Sequence, residues 1–340
     1  MLTYLLSQSW SIALMCALLV GMVLMAVHHA EIIAHKVGEP FGTIILALSV
    51  TVIEVSLIIS MMISHAPGSE LIARDTVFAA IMLVANGVIG LCILFCALKH
   101  KDLNFRVEGN NSALAVLIAL ATFSLVLPIF TTSTPGPDFT QSQLAFAGIA
   151  SFTLYVTFIF FQVVSHRVYF LPLDAKNQEE VQVHSPVPSN LKTIVSGFLL
   201  LLSLVCVVVL AEGLSPVVES FVHEIGAPKS VVGIFIAALV LLPEGTAAIR
   251  AARSNHLQGS LNLALGSALA SIGLTIPAIA AISIIFGLPL SLGINGTGIV
   301  FLCLTFVVST LTFSVGRVTI LQGMVHLIIF FGYLFLSLVP

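Results

Sequence analysis

The sequence predicts an all-α polytopic membrane protein of about ten transmembrane helices in two inverted five-helix repeats. Three observations carry that reading. The first is composition: hydrophobic residues make up 59% of the 340 residues and mean hydropathy is +1.16. Only 8% of residues are charged (12 Lys and Arg, 15 Asp and Glu), against about 25% in a typical soluble protein, too few to cover a water-exposed surface. The second is a set of ten apolar stretches of membrane-spanning length. The third is a weak internal repeat whose two copies enter the membrane from opposite sides.

A helix needs about 20 mostly apolar residues to cross the hydrocarbon core. The ten candidates are 10–30, 41–63, 74–97, 112–130, 141–165, 192–213, 229–250, 259–286, 295–313 and 318–338. No Lys or Arg precedes the first stretch, so it lacks a secretory n-region and is expected to stay as a span. Ala66-Pro67-Gly68 separates the second from the third, and Thr134-Pro135-Gly136-Pro137 the fourth from the fifth. The longest polar segment, 166–191, holds Pro172, Asp174, Glu179, Glu180, Pro186 and Pro188. It reads as a flexible connector between a first repeat, 1–165, and a second, 192–340.

Basic residues report orientation, because cytoplasmic loops are enriched in Lys and Arg. With the N-terminus outside, Lys36, Lys99, Lys101, Arg106, Arg167, Lys176, Lys192, Arg250, Arg253 and Arg317 face the cytoplasm, leaving Arg74 and Lys229 outside. Both termini are therefore expected on the non-cytoplasmic side of a cytoplasmic (inner) membrane. The net charge of −3, with no basic run, offers no footprint for nucleic acid. Cys16, Cys92, Cys96, Cys206 and Cys303 lie inside apolar stretches without metal-ligand spacing and read as small apolar residues.

The repeat aligns Glu31, His35, Gly38 and Pro40 with Glu219, His223, Gly226 and Pro228 at a constant offset of 188. After a two-residue slip, Glu54 of the second span meets Glu244 of the seventh. Five spans per half is an odd number, so the second copy is inverted. Inverted repeats mark secondary transporters, which bind substrate near the midplane between the halves.

Glu54 and Glu244 lie within spans, where an acidic group costs about 2.5–3.5 kcal/mol and is functional by default. Pro243 has no N–H for the Leu239 carbonyl, and Gly245 loosens the helix beside it. That free carbonyl, the two carboxylates and the hydroxyls of Ser49, Thr51 and Thr246 form an oxygen-only environment of the kind hard cations take. Carboxyl groups removed from water and set near one another also favour their protonated form. A pair that holds either a cation or protons is the core of an antiporter.

Gly266-Ser267-Ala268-Leu269-Ala270-Ser271 is a small-residue stripe on the eighth span. It serves close packing, or its hydroxyls line the ion site. Asn86-Gly87 stands at the corresponding place on the third span. His28, Glu31 and His35 share one helical face, as a metal or pH-sensing cluster or as solvated interfacial side chains. His326, one turn after Gln322, is a proton relay or a hydrogen-bonded core histidine.

At these residues the sequence resembles the calcium/cation antiporter superfamily, in its cation/proton exchanger branch, and is most similar to bacterial calcium/proton antiporters that also exchange sodium or potassium. The resemblance covers nearly the whole chain. It is most specific at His35–Thr43 running to Ile53-Glu54-Val-Ser-Leu57, at Leu242-Pro-Glu-Gly245, from Asn262 through Gly266-Ser267 to Thr275-Ile-Pro277, and at Phe313–Arg317 with Leu321–Leu327. It implies cation binding by Glu54 and Glu244, and access paths lined by Glu31, Glu212 and Glu219. Two departures from the pattern are Val50-Thr51 in place of Gly-Asn and Ala79-Ala80 in place of Gly-Ser, leaving fewer ligands.

The expected function is exchange of Ca²⁺, and of Na⁺ or K⁺, for protons by alternating access, with a monovalent-selective antiporter or a channel as rivals. No enzyme motif is present: His28-His29-Ala-Glu31 is not the His-Glu-x-x-His of an intramembrane metalloprotease. The expected partners are the lipid bilayer, inorganic cations and protons, with no cofactor beyond the transported ions. The orientation is tested by a reporter fused after Pro340, which should be active only outside the cytoplasm; cytoplasmic activity contradicts the span count.

Overall fold

Inside a bilayer each backbone N–H and C=O must be satisfied by protein, which makes runs this apolar helical. The computed structural model describes residues 9–38, 41–63, 68–99, 103–171, 188–224, 228 and 230–339. Among them are ten helices long and apolar enough to cross a membrane. In the first half they are α1 (Ser9–Val37), α2 (Phe41–Ile63), α3 (Ser69–Lys99), α4 (Val107–Phe130) and α5 (Gln141–Ser165). In the second half they are α6 (Asn190–Glu224), α7 (Ser230–Arg253), α8 (Leu257–Phe286), α9 (Gly296–Phe313) and α10 (Ile320–Leu338).

Each helix coincides with a predicted span, with differences at the ends. α1 continues through Glu31, His35 and Lys36 to Val37, because polar side chains hydrate beyond the apolar core while the backbone keeps its ladder. It stops at Gly38, whose φ of +76° favours glycine and whose N–H bonds the Ala34 carbonyl at 2.9 Å. α6 likewise runs on to Glu224, with Pro216 inside it.

The packing repeats when the halves are exchanged. α2 lies against α8, as α3 lies against α7; α5 covers α8, as α10 covers α3; α1 and α6 pack on each other. The loops follow the same rule. The α3–α4 loop meets the α9–α10 loop through Phe105 N–H to the Gly316 carbonyl at 2.9 Å and Val318 N–H to the Leu103 carbonyl at 3.2 Å. In the counterpart contact, the α8–α9 loop meets the α4–α5 loop through Gly293 N–H to the Pro137 carbonyl at 3.1 Å. This is the arrangement of two inverted five-helix repeats.

The apolar interior divides into two clusters. One joins α3, α4, α5, α8, α9 and α10; the other is built mainly on α1, α2 and α6, with Ile72 and Ala73 of α3 and Ile279 of α8 added; α7 contributes to both, through Leu241 and Ala248 to the first and Ile236 and Val240 to the second. Close approach depends on glycine where backbones touch. A Cβ on Gly233 of α7 would lie 2.7 Å from the backbone of Asp75 and Thr76 on α3, and one on Gly273 of α8 would lie 2.6 Å from Tyr155 Cβ on α5. α3 and α8 are thus held at the centre, and the helices bearing Glu54 and Glu244 are laid against them.

Candidate functional site

Glu54 sits 13 residues into α2, about 20 Å along its axis at 1.5 Å per residue, and is 1% exposed. Its carboxylate is held by α8. Ser271 Oγ donates to Oε1 at 2.7 Å and lies 2.9 Å from Oε2, so its one proton bridges both oxygens. Thr275 Oγ1 donates to Oε2 at 2.8 Å. Residues four apart share one face of a helix, and both hydroxyls are buried. Ser267, one turn earlier on the same face, is half-buried. The small-residue stripe therefore packs α8 closely and also supplies donors to Glu54.

Glu244 on α7 is half-buried, and its Oε2 is shielded from solvent without a hydrogen-bond partner. Glu31 of α1 and Glu54 of α2 are near enough to act on it electrostatically. α7 stays helical through Pro243, so the Leu239 carbonyl, at the edge of the second apolar cluster, has no i+4 N–H to bond. Glu31 is exposed. It lies toward the end of α1 that bears His35 and Lys36. The two glutamates are therefore unequal: Glu54 is enclosed and satisfied, while Glu244 is partly open.

The other expected residues divide. Ser49 and Thr51 are buried on α2, donating to their own helix at the carbonyls of Ile45 and Ala47, each at 2.8 Å; their oxygens keep lone pairs for a ligand. Thr246 is exposed and turns back to the Pro243 carbonyl at 2.9 Å. Asn86 is fully buried with its amide turned to α9 and α10, donating to Thr305 Oγ1 at 2.8 Å and lying 3.2 Å from His326 Nδ1. His28, Glu31 and His35 are all exposed, and among the described residues no three His, Cys, Asp or Glu side chains come within reach of one metal ion. The metal-cluster reading of that face is corrected accordingly: side chains stacked along an exposed helix point into solvent and do not converge. Glu212 is exposed on α6. The side chains of Glu219 and His223 lie outside the described residues. Thr275 is the residue that sequence reasoning passed over as a site residue; its spacing of four from Ser271 was the available signal.

Residues 7–164 and 195–339 match the sodium/calcium exchanger protein family. The chain belongs to this family. Among its relatives, y4hA of Sinorhizobium fredii (strain NBRC 101917 / NGR234), named for ionic transport, is 48% identical over 95% of this chain and 87% of that protein. The sodium-potassium/proton antiporter ChaA of Escherichia coli (strain K12) is 30% identical over 91% of this chain and 83% of that protein. The solved structure of native YfkE, a Ca²⁺/H⁺ antiporter, superposes with a TM-score of 0.75 at 16% identity, covering 97% of this chain and 92% of that chain. At that identity the likeness is one of fold, and the fold is that of a membrane exchanger.

The hydroxyl pattern has a measurable consequence. Removing a donor from a buried charged acceptor costs about 1.5–3 kcal/mol. Thermal unfolding in detergent should therefore show Ser271→Ala destabilised by about that amount, and Ser49→Ala, whose hydroxyl bonds only its own helix, changed by under about 0.5 kcal/mol. Equal losses in the two variants would contradict the assignment of Ser271 as the donor to Glu54.

Proposed function

We propose that this exchanger-family protein moves Ca²⁺, with Na⁺ and K⁺ as further substrates, out of the cytoplasm in exchange for protons, and that Glu54 and Glu244 are the shared cation and proton site. What supports the reading is that these two carboxylates, one from each half, both lie within spans and are near enough to act on one another electrostatically. A charge pair of −2 in a poorly hydrated site is neutralised by one divalent cation or by two protons, and not by both at once. Ser49, Thr51, Ser267 and the Leu239 carbonyl are the further oxygens proposed to complete a hard-cation shell, which needs six to eight oxygens for Ca²⁺. Water supplies the remainder.

Alternating access follows from the two-cluster interior. The segments 1–165 and 192–340 act as the inverted halves, joined by 166–191 on the cytoplasmic side, with both termini outside an inner membrane. In that orientation the end of α1 that carries Glu31, His35 and Lys36 faces the cytoplasm. The partly open Glu244, coupled to Glu31, then corresponds to a state facing inward. Rocking of α1, α2 and α6 against the larger cluster would move access from one side of the glutamates to the other. A monovalent-selective antiporter is the second reading, favoured by the 30% identity to a sodium-potassium/proton antiporter.

The test is proton movement in everted vesicles, followed by a pH-sensitive dye on separate addition of Ca²⁺, Na⁺ or K⁺. Glu54→Gln and Glu244→Gln should each abolish exchange while still inserting, and Glu180→Gln in the connector should be nearly silent. If protons and cation compete for one site, lowering pH raises the apparent KM for cation with little change in maximal rate, and this persists in a His28→Ala/His35→Ala variant. Substantial exchange by either mid-span variant, or a pure rate effect that vanishes with the histidines, would exclude the shared site.

A further inference from the structure

The two central helices are not equivalent. α8 is regular and turns Ser271 and Thr275 toward Glu54. α3, its counterpart in the inverted half, contains a π-turn over Leu83–Val88, and such single-turn π segments cluster at functional sites. Asn86 lies 189 residues before Thr275, between the 188 that separate Glu31 from Glu219 and the 190 that separate Glu54 from Glu244. It thus stands within one residue of the place of Thr275 in the other half. Its amide nevertheless points away from α7, to α9 and α10, and Glu244 Oε2 is left without a donor.

Facing this π-turn from α10, beside Phe330, is His326, 0% exposed. Its Nδ1 lies 3.2 Å from Asn86 Oδ1 and its Nε2 3.1 Å from Thr312 Oγ1. With the Asn86 amide nitrogen committed to Thr305, Oδ1 is the acceptor; Nδ1 therefore carries the ring proton and Nε2 accepts from Thr312. The Ala85 backbone also lies beside the ring, and its carbonyl is passed over by the Ile89 N–H, which bonds Asn86 and Val84. The crossing is fixed one turn away, where Cβ atoms on Gly90 and Gly323 would each lie 3.2 Å from the other's carbonyl. On the opposite side of the π-turn, Val88 reaches to 3.3 Å of a Cβ built on Gly245, the neighbour of Glu244.

We propose that His326 is a positioning residue for exchange: through its hydrogen bond with Asn86 it holds the α3 π-turn in the register that keeps Asn86 off Glu244 and sets Val88 against Gly245. The groups facing the ring are Asn86 and Ala85 from α3 and Thr312 from α9, all neutral, and no charged side chain interacts with it among the described residues. Its role is thus to direct a hydrogen bond and not to carry a proton. The inference rests on the exchange reading above.

Two amide variants separate the ring's two contacts. An asparagine amide reaches about as far as Nδ1 and a glutamine amide about as far as Nε2, so His326→Asn keeps the donor to Asn86 while His326→Gln keeps only the contact with Thr312. Cation-driven proton exchange is measured per inserted protein, against cation concentration and pH, in the parent and both variants. His326→Asn should retain the maximal rate within about threefold and leave the pH profile unmoved. His326→Gln should lose about tenfold or more in maximal rate, the size expected for one positioning hydrogen bond, with apparent KM little changed. Equal behaviour of the two, whether both active or both lost in rate or insertion, overturns the proposal. So does an active His326→Asn whose pH profile is displaced, which would make the ring a proton carrier. Absence of exchange in the parent would instead remove the exchange reading itself.

Discussion

A carboxylate in the middle of a bilayer must be satisfied by protein donors, by a cation or by a proton, because no bulk water is there to do it. The rest of this structure is arranged around that constraint. α8 is laid against α2 so that two hydroxyls one turn apart meet Glu54. α7 is laid against α3 with glycine at the contact with the Asp75 backbone. Glu244 receives no such donor at Oε2. Under the proposed function, one held carboxylate and one with an unpartnered oxygen form a site whose charge is neutralised by ions from outside the protein.

Inverted repetition explains how a short chain builds this twice over, and the departures from symmetry explain why the two copies differ. Helix pairs and loop contacts recur when the halves are exchanged. The side-chain chemistry does not: one half offers Ser271 and Thr275, the other offers Asn86 turned aside on a π-turn. A strictly symmetric site would present the same face to both sides of the membrane. The asymmetry seen here leaves Glu54 enclosed and Glu244 half-buried, which under the proposed function corresponds to a site open to one side.

Much of the fold was legible because lipid imposes a simple pattern. Ten apolar runs of spanning length became ten helices, and Glu54 and Glu244 stood out as charges within them. Features that depend on tertiary contact were not legible. The continuation of α6 through Pro216 could not be read, since proline usually ends a helix and here the chain carries on. The donor role of Thr275 was hidden because a threonine among serine, alanine and glycine looks like packing. The direction of Asn86 is set by a π-turn and by His326, 240 positions away, neither of which leaves a local mark. The exposed face of His28, Glu31 and His35 shows the opposite limit: helical spacing aligned the residues but did not make them converge.

The central claim, that one pair of glutamates takes either cation or protons, is tested most directly by calorimetric titration of the purified protein with Ca²⁺ in two buffers of different ionisation enthalpy. Binding that displaces protons from Glu54 and Glu244 predicts an apparent enthalpy that differs between the buffers, and a loss of that difference with Glu54→Gln. Ca²⁺ binding with the same enthalpy in both buffers would contradict it.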